Sequence, residues 1–325
     1  MAGVKSSVDV VTLTPSPCLD MTYELDELTL GGVHRSPRVR SEFAGKGVNV
    51  TRALALAGTS SRAVVPLSRS DHQRVQGDEL IITSPIEGTV RVCVTITEEG
   101  GRTTKINQSA PALCPEEWEN LLALTVDTVA KHSSPWLLIA GTVPLSTDGS
   151  LLSLEPLFTQ AQSHGCQVAL DTSGEALQVA ARSGLPALIK PNAEELAECV
   201  GRSLLTLGDV IEAGQEVVSW GVDHVIVSLG PDGIVGVSRD HHVHAWTDPV
   251  EVRNTIGAGD ASVAGFLNHI GKHPQDLAGA IAHAVAWGAQ KVQQAGSQLQ
   301  TLTALPQSHV TEQPERTRVL QAPGR

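Results

Sequence analysis

From residue 115 onward the chain alternates short apolar runs with amphipathic segments of helical length, and no other feature constrains its fold as tightly. Trp136-Leu137-Leu138-Ile139, Gln167 to Leu170, Ala187 to Ile189 and Val225-Ile226-Val227 have the length and continuous apolarity of strands buried on both faces. Pro115-Glu116-Glu117 opens the first intervening helix, with proline in the first turn and acids at the positive end of the helix dipole. This repetition predicts an α/β fold: a central, mostly parallel sheet with helices on both faces. Val8 to Leu13 supplies a further buried strand, stopped by Pro15 and Pro17. With 5 Trp, 3 Phe and 1 Tyr, the core must be built from aliphatic side chains. A chain of 325 residues can fill one such core, so residues 1–325 are read as a single domain.

The first third has a different texture. Gly45-Lys46-Gly47 opens a helical pattern through Val48, Arg52, Ala53, Leu56 and Ala57, with Gly58 suited to close it. Thr89 to Thr97 is β-branched and alternating, and Gly100-Gly101 turns it back through Thr103 to Ile106. At the other end a strand is expected around Val310, followed by a frayed tail after about residue 313. The formal net charge is −12. Residues 1–105 are neutral, with 12 basic and 12 acidic side chains, so the whole excess lies in 106–325. An acidic chain of this kind argues against nucleic-acid and anionic-membrane partners. No apolar run approaches the roughly 20 residues that span a bilayer, and Met1 to Val10 lacks a signal-peptide pattern. Five scattered cysteines without a C-x-x-C pair point to unbridged thiols and a cytoplasmic location.

Chemistry is sought where such sheets place it, beyond the carboxyl ends of the strands. Asn254-Thr255-Ile256-Gly257-Ala258-Gly259-Asp260 leaves successive small residues at a helix start, where free N–H groups and the dipole favour an anion. Asp260 fits there either as a helix-capping residue or as a general base beside a phosphoryl group. Ser228-Leu229-Gly230-Pro231-Asp232-Gly233 reads as a turn between strands, and the same backbone could lie against nucleotide phosphates. His241, His242 and His244 read as exposed turn-and-strand histidines. No P-loop, dinucleotide fingerprint, nucleophile elbow or H-E-x-x-H zinc motif occurs.

Four ordered segments together resemble the ribokinase-like, PfkB-type carbohydrate kinases, in particular the branch with 1-phosphofructokinase and tagatose-6-phosphate kinase. They are Thr12 to Asp20, Ala44-Gly45-Lys46-Gly47-Val48-Asn49-Val50, Lys190-Pro191-Asn192-Ala193-Glu194-Glu195-Leu196, and Asn254 to Asp260. The resemblance runs through nearly the whole chain. It implies a ribokinase-like α/β fold whose small β lid, from segments near 21–40 and 88–109, closes over the sugar. The implied activity is ATP- and Mg²⁺-dependent phosphorylation of a sugar phosphate, first D-fructose 1-phosphate to fructose 1,6-bisphosphate. Tagatose 6-phosphate or another hexose phosphate is the alternative acceptor, and a catalytically weak sugar-phosphate-binding regulatory protein is the alternative of a different class.

Carried over by residue, the resemblance implies Asp260 as base, with the N–H groups of Gly257, Ala258 and Gly259 on the transferring phosphoryl. Asn192, Ser228, Gly230, Asp232, Gly233, Thr255, Gly257 and Gly259 would meet ATP, and the helix near His283 to Gly288 would line the adenine pocket. Asn192 and Glu195 would position Mg²⁺ through water, although Glu194 and Glu195 also suit an ordinary first helical turn. Asp20, Arg35, Gly45, Lys46, Asn49, Arg91, Lys105 and Asn107 would bind the sugar phosphate, although a lone strand Arg or Lys is equally a solvated one. A homodimer through the lid and an isolated lid are both compatible with the pattern. The sequence departs from the branch at Ser16, at Ala44, at Gln108-Ser109-Ala110, and between Pro66 and Pro85, where a short polar stretch replaces a longer one with a helix.

Overall fold

The computed structural model describes residues 8–321. Strand β1 (Val10–Leu13) leads into β2 (Cys18–Leu25) and β3 (Arg38–Ala44), which runs straight into helix α1 (Lys46–Leu56). Next come β4 (Ser61–Leu67), the short helix α2 (Arg69–His72), β5 (Ile81–Pro85), and the hairpin of β6 (Arg91–Glu98) and β7 (Thr103–Asn107). The alternating half follows as α3 (Pro115–His132), β8 (Trp136–Ala140), α4 (Glu155–Ser163), β9 (Gln167–Asp171), α5 (Gly174–Ser183), β10 (Leu188–Ile189), α6 (Ala193–Val200), α7 (Leu207–Ser219) and β11 (His224–Ser228). It ends in β12 (Ile234–Ser238), β13 (His242–Thr247), α8 (Ala258–Ile270), α9 (Leu277–Val292) and β14 (Ser308–Thr311).

The large sheet has the order β14-β13-β12-β11-β10-β9-β8-β1-β4-β5, parallel from β11 to β5 and antiparallel from β11 to β14. Strand periodicity explains its two cores. Leu137 and Ile139 point into a core shared with α3, α4, α5 and α7, whereas Trp136 and Leu138 point into one shared with α1, α8 and α9. An unbroken apolar run thus serves two helical layers at once. The small sheet, ordered β3-β2-β6-β7, is separate from the large one. No helix among the described residues is long and apolar enough to cross a membrane.

Three expectations need correction. The stretch from Pro66 to Pro85 is not a bare polar connection: α2, capped by Ser68, and the edge strand β5 fill it. Pro66 lies within β4, but the ladder to β1 stops at Val64, so the proline has a strand neighbour on one side only. His244 is buried rather than exposed; its Nε2 lies 2.7 Å from the Asp232 carbonyl, its ring stacks on Trp246, and burial pulls its pKa down. The tail does not fray after residue 313. Gly208 N–H donates to the Arg316 carbonyl, Leu207 N–H to that of Arg318, and Leu320 N–H to that of Leu205, while the Arg318 guanidinium reaches Asp232 at 2.6 Å. Residues 322–325 of that tail, and Met1 to Ser7, where no signal-peptide pattern is expected, lie outside the described residues.

The Asp232 carboxylate is fully buried, so Arg318→Ala removes the cation from a buried anion. That loss costs about 3–5 kcal/mol for fully buried pairs and less here, because Arg318 is partly solvated. The expected outcome is a melting temperature several degrees lower by calorimetry. An unchanged melting curve would show that the tail contributes nothing to the fold.

Candidate active site

The site forms where β1, β9 and β10 end and where α1 and α8 begin. Thr14, just past β1, accepts a hydrogen bond at its Oγ1 from the Val48 N–H, and Thr12 Oγ1 donates to the Gly47 carbonyl at 3.0 Å. These bonds seat the start of α1 on the strand ends. The approach requires glycine: a Cβ on Gly45, whose φ is +149°, would lie 2.6 Å from Thr14 Cγ2. The consequence is that Lys46 and Asn49, one turn apart, both face the site.

Asn49 Nδ2 donates to Asp260 Oδ2 at 2.8 Å. Asp260 is the third residue of α8 and is buried. Burial raises its pKa to about 6, with Asp171 adding to the rise and Lys46, the Asn49 hydrogen bond and Lys190 opposing it. Lys46 Nζ lies 3.0 Å and Lys190 Nζ 3.5 Å from the same oxygen, Oδ1 of Asp171. Asp171 is wholly buried; desolvation opposes its charge, but Lys190 and Lys46 outweigh it and hold the pKa below the usual range. Asp171 in turn raises the pKa of Lys46, a rise that burial opposes and Asp260 and Glu195 reinforce. Lysine and carboxylate charges therefore alternate in one buried cluster. Asp171 and Lys190 were not singled out as site residues. Their signals were present: Asp171 ends an apolar strand and Lys190 opens the K-P-N motif.

The loop before α8 is held from beneath. Asn254 Nδ2 donates to the Gly296 carbonyl at 2.7 Å and its Oδ1 accepts from the Ile256 N–H at 2.9 Å. Gly257 has a φ of +79°, and a Cβ there would collide with the Ser297 carbonyl. Lys291, fully buried in α9, lies under this loop with Nζ 3.5 Å from the Asn254 carbonyl. Burial lowers its pKa to about 8 against the pull of Asp260 and Glu42. The first N–H groups of α8 have no carbonyl one helical turn behind them. Of the three expected to face an anion, that of Ala258 makes a long 3.3 Å turn bond to the Thr255 carbonyl. Lys190 Nζ would lie 3.5 Å from a Cβ on Gly259, which puts a positive charge beside the helix start.

Asn192 and Glu195 form a reciprocal cap at the start of α6: Asn192 Oδ1 accepts from the Glu195 N–H and Glu195 Oε2 accepts from the Asn192 N–H, both at 2.8 Å. Asn192 also bridges Ser228, so the K-P-N segment and the Ser228–Gly233 turn adjoin. In that turn Gly230 faces open space with φ +59°, whereas Gly233 is pressed against the Ala245 carbonyl. Asp232 departs from expectation. Its side chain accepts from Arg318 and from the Gln321 N–H, so the tail and not a nucleotide takes up the carboxylate. Thr255 is exposed.

The small sheet carries the remaining candidates. Its register places Asp20, Glu42, Cys93 and Asn107 on one cross-strand line and Thr22, Arg40, Thr95 and Lys105 on the next line of the same face. Arg91 belongs to that face opposite Cys18; it donates to the Ser16 carbonyl at 3.3 Å, and its buried Nε has no protein partner. Asp71 of α2 accepts from the Val90 N–H at 2.9 Å, so the shortened segment pins the strand that presents Arg91. The Cys18 thiol donates to Asp20 Oδ1 at 3.2 Å, and Cys93 stands opposite Asp20 on the neighbouring strand. Lys105 and Asn107 are exposed on β7, and Arg35 is exposed in the β2–β3 connection. These three are not drawn into the buried charge cluster.

Residues 14–304 match the pfkB family of carbohydrate kinases. The chain is 32% identical over 263 residues to ATP-dependent 6-phosphofructokinase isozyme 2 of Escherichia coli K12, covering 79% of this chain and 84% of that protein. It is 29% identical over 268 residues to 1-phosphofructokinase of Bacillus subtilis 168, covering 81% and 86%. The crystal structure of phosphofructokinase-2 from Escherichia coli in complex with fructose-6-phosphate superposes with a TM-score of 0.78 at 29% identity, covering 88% of this chain and 94% of that one. With the match spanning most of its length and the charge cluster lying within it, the chain belongs to the pfkB family of carbohydrate kinases, and it is a sugar kinase.

Proposed function

We propose that the protein transfers the γ-phosphoryl of ATP to a hydroxyl of a fructose monophosphate, D-fructose 1-phosphate giving fructose 1,6-bisphosphate. The observation that carries this reading is the buried Asp260 carboxylate, oriented by Asn49 at a helix start flanked by Lys190. With a pKa near 6 it is ionised at neutral pH yet basic enough to accept a hydroxyl proton as the oxygen attacks. The N–H groups of Gly257 and Gly259, with Lys190 and Lys46 nearby, meet the negative charge that builds on the transferring group. ATP lies along Asn192, Ser228, Gly230, Gly233 and Thr255. The acceptor lies under the small sheet, between Asp20, Asn107 and Gly45, with Arg91, Lys105 and Arg35 as cations for its existing phosphate. Closing that sheet over the sugar keeps water from competing for the phosphoryl group.

A magnesium ion fits the donor chemistry here. Asp171 Oδ2 is a buried carboxylate oxygen without a protein partner, and the Asn192–Glu195 cap leaves one carboxylate oxygen of Glu195 uncommitted. Asn192 and Glu195, through water, would hold the ion, which supplies charge neutralisation to the phosphates. Five free thiols suit the reducing cytoplasm in which we place the enzyme.

The relatives' names divide between 1-phosphofructokinase and 6-phosphofructokinase isozyme 2, so fructose 6-phosphate is the second reading. An ADP-release assay over fructose 1-phosphate, fructose 6-phosphate and tagatose 6-phosphate decides the acceptor. The expected result is the highest kcat/KM with fructose 1-phosphate and a kcat about 10²–10⁴-fold lower in Asp260→Asn. Release from none of them, with sugar phosphate still bound, would make the chain a binding protein instead.

The same pKa fixes a pH limb. Below about 6 Asp260 takes up a proton before the acceptor can supply one, so log kcat/KM should fall with unit slope as pH drops through this region. A profile flat over roughly one pH unit on either side of that pKa would remove Asp260 from the role of base.

We further read the protein as a homodimer through the small sheet. Met21, Tyr23, Val39, Val94, Ile96 and Ile106 share the face opposite Asp20, and Val39 and Ile106 are 48% and 61% exposed. Sedimentation velocity should show a dimer that Ile106→Glu weakens; a wild-type monomer would refute it.

A further inference from the structure

We infer that Cys18, Asp20 and Cys93 form a site for a thiophilic divalent cation of the Zn²⁺ class, and that this ion and the sugar-phosphate acceptor exclude one another at Asp20. The ion site stands on three side chains alone. The exclusion rests on the reading of Asp20 as an acceptor ligand.

The three donors meet because of the register between β2 and β6. These strands are parallel, with Cys18 opposite Arg91 and Asp20 opposite Cys93. Residues two apart on one strand share a face, so both thiols and the carboxylate point the same way. Their donor atoms all lie within 4.8 Å of one another. Cys18 Sγ is 3.2 Å from Asp20 Oδ1, to which it donates. A tetrahedral zinc ion with Zn–S near 2.3 Å and Zn–O near 2.1 Å holds its donors roughly 3.4–3.8 Å apart. The trio therefore stands close to that spacing before any ion enters, and small side-chain rotations complete it.

The chemistry of the set selects the ion. Two sulfurs and one carboxylate are soft enough to favour zinc-like cations and are poor ligands for Mg²⁺, which takes oxygen donors. The site is thus distinct in kind from the Asn192–Glu195 pair. The Cys18 thiol already donates to Asp20, and Arg91 stands opposite Cys18 on the neighbouring strand. Binding replaces that shared proton with the metal: the ion gains bonds to both sulfurs and to the carboxylate, and the thiol protons leave to solvent with no change of oxidation state. Once ligated, the Asp20 carboxylate can no longer accept a sugar hydroxyl.

Co²⁺ reports the site directly, because thiolate ligation gives it a charge-transfer absorption that water or carboxylate ligation does not. The full chain, kept reduced with a phosphine and stripped of metal by chelation, is titrated with CoCl₂. The expected result is one equivalent bound with that band, and a band abolished or an affinity at least about tenfold weaker in Cys18→Ser and in Cys93→Ser. Cys114→Ser, remote on the α3 cap, should keep it. Circular dichroism checks each variant. If the buried Cys18 variant fails to fold, the half-exposed Cys93→Ser carries the test. No band in the wild type, a band undiminished in Cys93→Ser, or an intact mass showing the two thiols joined as a disulfide under these reducing conditions would overturn the site. Repeating the titration with saturating fructose 1-phosphate or fructose 6-phosphate tests the exclusion. A raised apparent Kd for Co²⁺ supports it, and an unchanged Kd overturns the exclusion while leaving the ion site standing. None of these readouts needs turnover, so the ion site is tested independently of the kinase reading, and only the competition arm depends on Asp20 binding the acceptor.

Discussion

The buried pairing of Asp171 with Lys46 and Lys190 is the interaction on which the rest of this structure depends. Asp171 ends β9, Lys190 follows β10, Lys46 begins α1, and Asp260 begins α8, so one charge cluster ties together four elements distant in sequence. Moving ions of this kind out of water costs several kcal/mol each, and only close partners of opposite sign offset it. Two lysines and two carboxylates achieve near balance. Loss of either lysine would leave the buried Asp171 carboxylate with one cation instead of two.

That balance also explains how an acidic chain can handle polyanions. The −12 charge is a property of the surface, while the cluster presents two ammonium groups and the start of α8 to one point. Since Asp171 restrains both lysines, on the proposed reading an incoming phosphoryl group would meet positive charge already fixed in place. Lys291 beneath the Asn254 loop extends the same logic to a second layer, where burial and not pairing weakens its hold on the proton.

The small sheet works differently. Most of its cations are spread over exposed strands and loops, and Arg91 is partly enclosed, on the strand that Asp71 pins through the Val90 N–H from the segment between Pro66 and Pro85. That segment looked like a loss in the sequence because its four-residue helix and edge strand are too short for a periodic signal. Its Ser68 cap and Asp71 bonds become visible only once β5 closes against β4.

The alternating α/β pattern, the first strand, the helix after Gly45, the β6–β7 hairpin and the last strand are legible in the chain, because each is written in a local periodicity or a turn residue. Ordered motifs also mark Asp260, Asn49, Lys46 and Asn192. The tertiary fold settles which of these touch. It placed Asn49 on Asp260, drew Lys46 onto Asp171, engaged the Asp232 carboxylate with Arg318, and docked a tail whose polar composition reads as loose. Each of those pairings joins residues more than 80 positions apart. No local pattern records a partner that far away; it is set by which strand ends the parallel sheet brings side by side, and by the cost of leaving a buried charge without one.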